Sequence, residues 1–394
     1  MQQSNSPKVL IASPFYLPGY KAGGALRTVA NMVDHLSDDF DFWIVTQDRD
    51  LADTAPYPDI QPDQWQQVGG AMVYYLPPEK CTVREIAFLI SSTPHDVLYL
   101  NSFFDPDFTI KPLLARRLGR LPQKPVVIAP RGEFSAGAIK LKYLKKQVYI
   151  QFAKLFKLYN NVTWQASSEH EQQDIIRVMN VHPATIHIAL DLPARANSNP
   201  PVHESVDTAN DNTAVRIVFL SRISPKKNLD YALRVLSKVK ASVILDIYGP
   251  AEDENYWKLC NDLIKHLPAN VSVNYFGSVH PDQVAEIFSR YDLFFFPTRG
   301  ENYGHVIAEA LSVGTAVLLS DQTPWRDLQS EQLGWDFPLD DMDQFVSTIE
   351  TYSVMPLNKK IECRQQILTK IVARLAKPKV FEDNRELFRR VMRK

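Results

Sequence analysis

The 394-residue sequence has only three cysteines, Cys81, Cys260 and Cys363. They form no CxxC pair and cannot all pair with one another, which argues against a disulfide scaffold or a structural zinc and suits a reducing compartment. No apolar run approaches the roughly 18 residues of a membrane span. The amino terminus, MQQSNSPKVLIASPF, has a polar start and an apolar run that stops at Pro14, unlike a secretory signal. The expectation is a chain kept in the cytoplasm, or on the inner face of a membrane if its surface holds it there. Neither sign of charge dominates: 44 Lys and Arg face 45 Asp and Glu, a net charge of -1, which gives the whole molecule no pull toward nucleic acid. No cluster of His and Asp with metal-ligand spacing is visible, so no metal and no cofactor are expected.

What is present is alternation. Apolar runs at Lys8–Ser13, Phe42–Thr46, Met72–Leu76, Val97–Leu100, Val126–Ala129 and Val162–Ala166 are separated by stretches with helical spacing, the pattern of a parallel sheet covered on both faces. From 193 to 214 the chain turns polar and reads as a linker. The alternation then restarts at Arg216–Leu220, Val243–Tyr248, Val271–Phe276, Leu293–Phe296 and Ala316–Leu319. The expected fold class is therefore α/β, with doubly wound Rossmann-like domains at 1–192 and 215–377 facing each other across a cleft. A last helix, within about 378–394, is expected to pack back on the first. In such sheets ligands sit at the carboxyl ends of the strands.

The segment Pro297-Thr-Arg-Gly-Glu-Asn-Tyr-Gly-His-Val-Ile-Ala-Glu follows a buried strand and opens a helix near Tyr303 or Gly304. Backbone N–H groups of Tyr303, Gly304 and His305, with Asn302 beside them, suit a pyrophosphate. Glu301, just before the helix, suits a sugar hydroxyl, and Glu309, one turn after His305, a ribose diol. A carboxylate in this apolar helix implies a partner inside the fold, although a single Glu is more often a solvated one. After the first strand of the second half, Arg222 and Lys227 stand where two positive charges can take up charge on a departing diphosphate. Strand-end cations are common on surfaces, so only the combination with the Glu pair is specific. Near the amino terminus, Gly23 and Gly24 lie between a strand and a helix and permit close backbone approach.

These motifs resemble the retaining glycosyltransferases of family 4 (glycosyl transferases group 1) with the GT-B fold. The family's Glu, seven residues, Glu signature falls on Glu301 and Glu309, and its Arg and Lys pair falls on Arg222 and Lys227. The likeness extends to the strand end at Gly249 and to the turn carrying Ser278 and Val279, which in the family lies near the nucleotide base. It implies a hexosyltransferase that takes a sugar from a nucleotide-sugar, by default UDP-linked. The implied acceptor is a glycan or lipid-linked glycan of a bacterial surface polysaccharide. Arg222, Lys227 and Glu301 would carry catalysis, without a metal, and Gly23, Gly24, Gly249, Ser278, Val279, Asn302, Tyr303, Gly304, His305 and Glu309 would bind donor. Two rivals share these features: a nucleotide-sugar epimerase and an inactive nucleotide-sugar-binding partner subunit.

The sequence departs from the family in two places. Arg131 takes the position where many members carry a His near the anomeric carbon, and is placed in the catalytic set for that reason. The usual Asn-Gly at the end of the first domain is replaced by Ile188-Ala-Leu-Asp191-Leu. Between 138 and 160 lie Lys140, Lys142, Lys145, Lys146, Lys154 and Lys157 with no acidic residue. Such a stretch reads equally as a helix resting on an anionic membrane and as a core helix with a solvated lysine face.

Overall fold

A computed structural model describes residues 6–140, 143–195 and 214–393. The chain divides into two compact units, Met1–Arg195 with Pro378–Lys394, and Ala196–Lys377. Most of the expected linker lies outside the described residues.

The first unit holds an eight-stranded sheet in the order β3-β4-β2-β1-β5-β6-β7-β8. The strands are β1 (Lys8–Ala12), β2 (Asp41–Gln47), β3 (Trp65–Val68), β4 (Ala71–Leu76), β5 (Val97–Asn101), β6 (Val126–Ala129), β7 (Thr163–Ala166) and β8 (Ile186–Ile188). All pair in parallel except β3, which runs antiparallel to β4. Side chains alternate across a strand, and both faces are covered. Leu10 and Ala12 of β1 enter one core with Leu98 and Ile128, while Val9 and Ile11 enter another with Val29 and Met32. That is why these strands read as near-continuous apolar runs. The helix Pro378–Met392 places Leu387, Phe388 and Val391 in the second of these cores. Phe388 meets Phe40 at 5.2 Å between ring centroids, and Asn384 donates to Leu190 O at 2.8 Å.

The second unit is a six-stranded parallel sheet, β11-β10-β9-β12-β13-β14. Its strands are β9 (Val215–Leu220), β10 (Val243–Tyr248), β11 (Val271–Gly277), β12 (Leu293–Phe296), β13 (Ala316–Ser320) and β14 (Gly334–Phe337). In each sheet the chain builds outward on one side of its first strand and then crosses to the other. The direction of winding reverses between β1 and β5, and again between β9 and β12. Loops leaving the carboxyl ends of those strands flank the position where such folds bind ligands.

Candidate active site

In the second unit the two informative motifs leave adjacent strands, β9 and β12, and are tied together residue by residue. Asn228 is almost fully buried and sits in the left-handed region at φ 64°, where its position caps the helix Leu229–Leu236. Its amide donates to Pro297 O at 2.8 Å, and its side-chain oxygen accepts from Arg299 Nε at 2.9 Å. Lys226 O accepts from Arg299 N at 2.8 Å and from the Thr298 hydroxyl at 3.1 Å. Across this seam Lys227 Nζ donates to Glu301 Oε1 at 2.5 Å, with the side chains 13% and 11% exposed. Burial alone would raise the Glu301 carboxyl, but the charges of Lys227 and Lys226 outweigh it and hold the pKa below the ordinary value. Glu301 is therefore an acceptor-only carboxylate at neutral pH. Arg222 is more open and pairs with Glu252 at 2.8 Å. Nothing in the sequence singled out Glu252.

The helix after Glu301 spans His305–Ser312, with Gly304 as its left-handed N-cap at φ 83°. At that φ any side chain would be strained, so the turn favours glycine. Tyr303 O accepts from Trp325 Nε1 at 2.7 Å, the Tyr303 and His305 rings lie 4.7 Å apart, and Asn302 and Glu309 are half-buried. Gly249 closes β10 at φ 130°, where a Cβ would lie 1.9 Å from Ser221 O. Its N–H donates to Gly277 O at 2.7 Å and its carbonyl accepts from Tyr275 Oη at 3.0 Å. Ser278 and Val279 follow directly on that turn. The structure thus brings Arg222, Lys227, Gly249, Glu301 and Gly304 to the carboxyl ends of neighbouring strands of one sheet.

In the first unit Gly23, at φ 74°, caps the helix Gly24–Leu36. The loop before it is held by Asp50, which no sequence motif marks: one carboxylate oxygen accepts from Tyr20 N at 2.7 Å and Lys21 N at 2.9 Å. Arg131 is almost fully buried. Its guanidinium turns inward and all three nitrogens are taken, Nε by Asn101 Oδ1 at 2.8 Å, Nη1 by Asp191 Oδ1 at 2.5 Å, and Nη2 by Tyr99 Oη. The cause is Asp191, 3% exposed, a carboxylate that needs a charged partner once buried. The two departures from the family pattern are thus one feature, a buried ion pair. Asn101 also donates to Ala25 O at 3.2 Å, joining that pair to the glycine turn. Arg131 is thereby held by its own unit, 6% exposed in its pair with Asp191.

The loop carrying Arg131 is pinned by two further acids. Glu171 accepts from Gly132 N at 2.5 Å. Glu133 accepts from Ser102 Oγ at 3.0 Å and Phe103 N at 2.5 Å, and burial pushes its carboxyl up to about 7 despite those bonds. The basic stretch is helical over Ala136–Lys140 and Tyr143–Leu155. The Lys140 and Lys142 side chains lie outside the described residues. The face the second helix turns outward is not a lysine face: Leu144 is 78%, Val148 71% and Leu155 77% exposed. Among the described residues, no helix is long and apolar enough to cross a membrane.

Residues 204–363 match the family model of glycosyl transferases group 1. A Klebsiella pneumoniae protein described only as an uncharacterized protein in the cps region is 23% identical over 68% of this chain and 73% of its own length. A phosphatidyl-myo-inositol mannosyltransferase of Mycolicibacterium smegmatis is 28% identical over about a third of each chain, 34% in both cases. Among solved structures, Anabaena HepE in complex with UDP and glucose superposes with a TM-score of 0.67 at 14% identity. That superposition covers 97% of this chain and 98% of that one, which gives the first and second units the GT-B architecture.

Proposed function

The chain carries a group 1 glycosyltransferase domain in a GT-B fold, and from that premise we propose that it is a retaining, metal-independent hexosyltransferase of family 4. The donor in this reading is a nucleoside diphosphate sugar, UDP-linked like the UDP-glucose in another structure of the Anabaena neighbour. The acceptor is a glycan or lipid-linked glycan. The cps-region relative and the lipid-modifying mannosyltransferase support a place in bacterial surface polysaccharide assembly. One observation carries the proposal: Lys227 and Glu301 pair at 2.5 Å across two loops that flank a topological switch point. The ammonium keeps N–H groups for diphosphate oxygens, and Arg222 adds a second charge. The carboxylate, kept ionised by Lys227, accepts from a sugar hydroxyl, and Glu309 suits the ribose.

In this mechanism the bond from the anomeric carbon to the diphosphate oxygen breaks while the acceptor oxygen bonds on the same face. The acceptor proton passes to the departing phosphate. Fixed cations act most strongly on charge that develops in the transition state. The exposed apolar face of Tyr143–Leu155, with Lys145, Lys154 and Lys157 near it, favours a peripheral position on an anionic membrane.

The test is transfer from UDP-sugars to a lipid-linked glycan extract, with the product's anomeric configuration read by NMR, in buffer with and without EDTA. Retained configuration and undiminished turnover in EDTA are expected. Conversion of the donor without any acceptor would identify an epimerase, no turnover with donor binding a partner subunit, and EDTA loss restored by magnesium a metal enzyme.

A further inference from the structure

A groove of about 420 Å³ runs between the helices Tyr143–Leu155 and Glu169–Met179 of the first unit. One wall is the helix face Tyr143, Gln147, Gln151 and Lys154, a spacing of one to two turns that aligns them in a row. The hydroxyl, the two amides and the ammonium make no hydrogen bond to another described residue. Ile139, Ile150 and Val178 supply apolar lining, and Arg177 stands on the opposite wall. Asp174 is ion-paired with Arg177 at 2.5 Å, and Arg177 Nη2 also donates to Phe134 O at 2.9 Å. The groove therefore presents a row of donors with net positive charge. Alongside it on the same helix runs the exposed apolar stripe Leu144, Val148 and Leu155.

We propose that this groove is a binding site for a lipid-borne phosphate. Its oxygens are received by Lys154, Gln151, Gln147 and Tyr143, and its hydrocarbon chain lies along Leu144 and Val148. A free sugar would leave the apolar stripe uncovered, and a neutral lipid would leave the ammonium without a counter-charge; a phosphate joined to an alkyl chain satisfies both. The proposal rests on the reading of the acceptor as lipid-linked, and assigns its phosphate a place on the first unit apart from the sugar-transferring residues of the second.

Isothermal titration with octyl phosphate below its micelle concentration tests this, beside inorganic phosphate and octyl glucoside as the head-only and chain-only probes. Octyl phosphate should bind at least about tenfold tighter than either, each factor of ten corresponding to about 1.4 kcal/mol. Gln151→Glu with Lys154→Glu should abolish that preference, and Leu144→Gln with Val148→Gln should reduce octyl phosphate to the level of inorganic phosphate. The shift in melting caused by UDP serves as a folding control for each variant. Equal binding of octyl glucoside, equal binding of inorganic phosphate, or unchanged binding by the Gln151/Lys154 variant would each overturn the proposal. The two readings separate cleanly. Failure of all UDP-sugar transfer with octyl phosphate binding intact removes the proposed activity and spares the site, while normal transfer with no selective octyl phosphate binding does the reverse.

Discussion

Lys227→Ala removes an ammonium that lies 2.5 Å from Glu301 in a pair only about a tenth exposed, and two separate losses should follow. Turnover should fall by roughly 10² to 10³, the scale for one preorganised contact to developing charge, or about 3 to 4 kcal/mol of barrier. Stability should fall as well. Glu301 is left buried beside Lys226 and Thr298, and taking one partner from a buried pair destabilises by about 3 to 5 kcal/mol. Slight exposure favours the lower figure. At roughly 2 to 4 °C per kcal/mol for a unit the size of residues 196–377, the second unit should melt about 6 to 12 °C lower.

The pH dependence separates a lost ion pair from general damage. In the native chain burial raises the Glu301 carboxyl, yet Lys227 and Lys226 hold it below its ordinary value. A depressed acid contributes stability that is present above the unfolded value, about 4.3, and is lost as pH falls through the folded one. Without Lys227 burial dominates and the carboxyl rises. The variant then holds its stability below the unfolded value and loses it as pH climbs. The melting gap between the two proteins should therefore narrow from pH 7 to pH 4, measured by calorimetry beside UDP-sugar turnover. Turnover within threefold of the parent, or a gap constant across that range, would refute the reasoning.

Three further outcomes follow from the same contacts. Asn228→Gly keeps the left-handed turn but deletes both bonds to the Pro297–Arg299 loop, so kcat should fall about tenfold or more with KM for donor changing less, and steady-state kinetics read that split. Asp191→Asn leaves the buried Arg131 guanidinium without its counter-charge and should lower the stability of the first unit by about 3 to 5 kcal/mol, seen in denaturant titration. Leu144→Gln with Val148→Gln should release the protein from vesicles containing anionic lipid in sedimentation, while the parent binds and is itself released near 1 M salt, where the Debye length is about 3 Å.

Strand positions were readable because the strands are buried on both faces, which leaves apolar runs too short for anything else. β3, β8 and β14 escaped for the opposite reason. Trp65–Val68 is half polar on an antiparallel edge, Ile186–Ile188 is three residues long, and Gly334–Phe337 carries a charge at Asp336. Candidate charged residues stand out in the sequence where they repeat a spacing, as Glu301 and Glu309 do, and do not where their meaning depends on a distant partner. Arg131 and Asp191 are 60 residues apart, and each looked like an isolated departure until the fold closed them into a pair. Asn228 carried no signal either, because an Asn after two lysines reads as turn chemistry. Its importance lies in a backbone angle and in two partners about 70 residues away. The same limit applies to the basic stretch: the sequence counts lysines, but which face of the helix meets solvent is decided by what Ile150 and Ala153 bury against. With those two turned inward, the helical period sends Leu144, Val148 and Leu155 outward. The site's chemistry is therefore written in local motifs, and the contacts that orient it are written only in the fold.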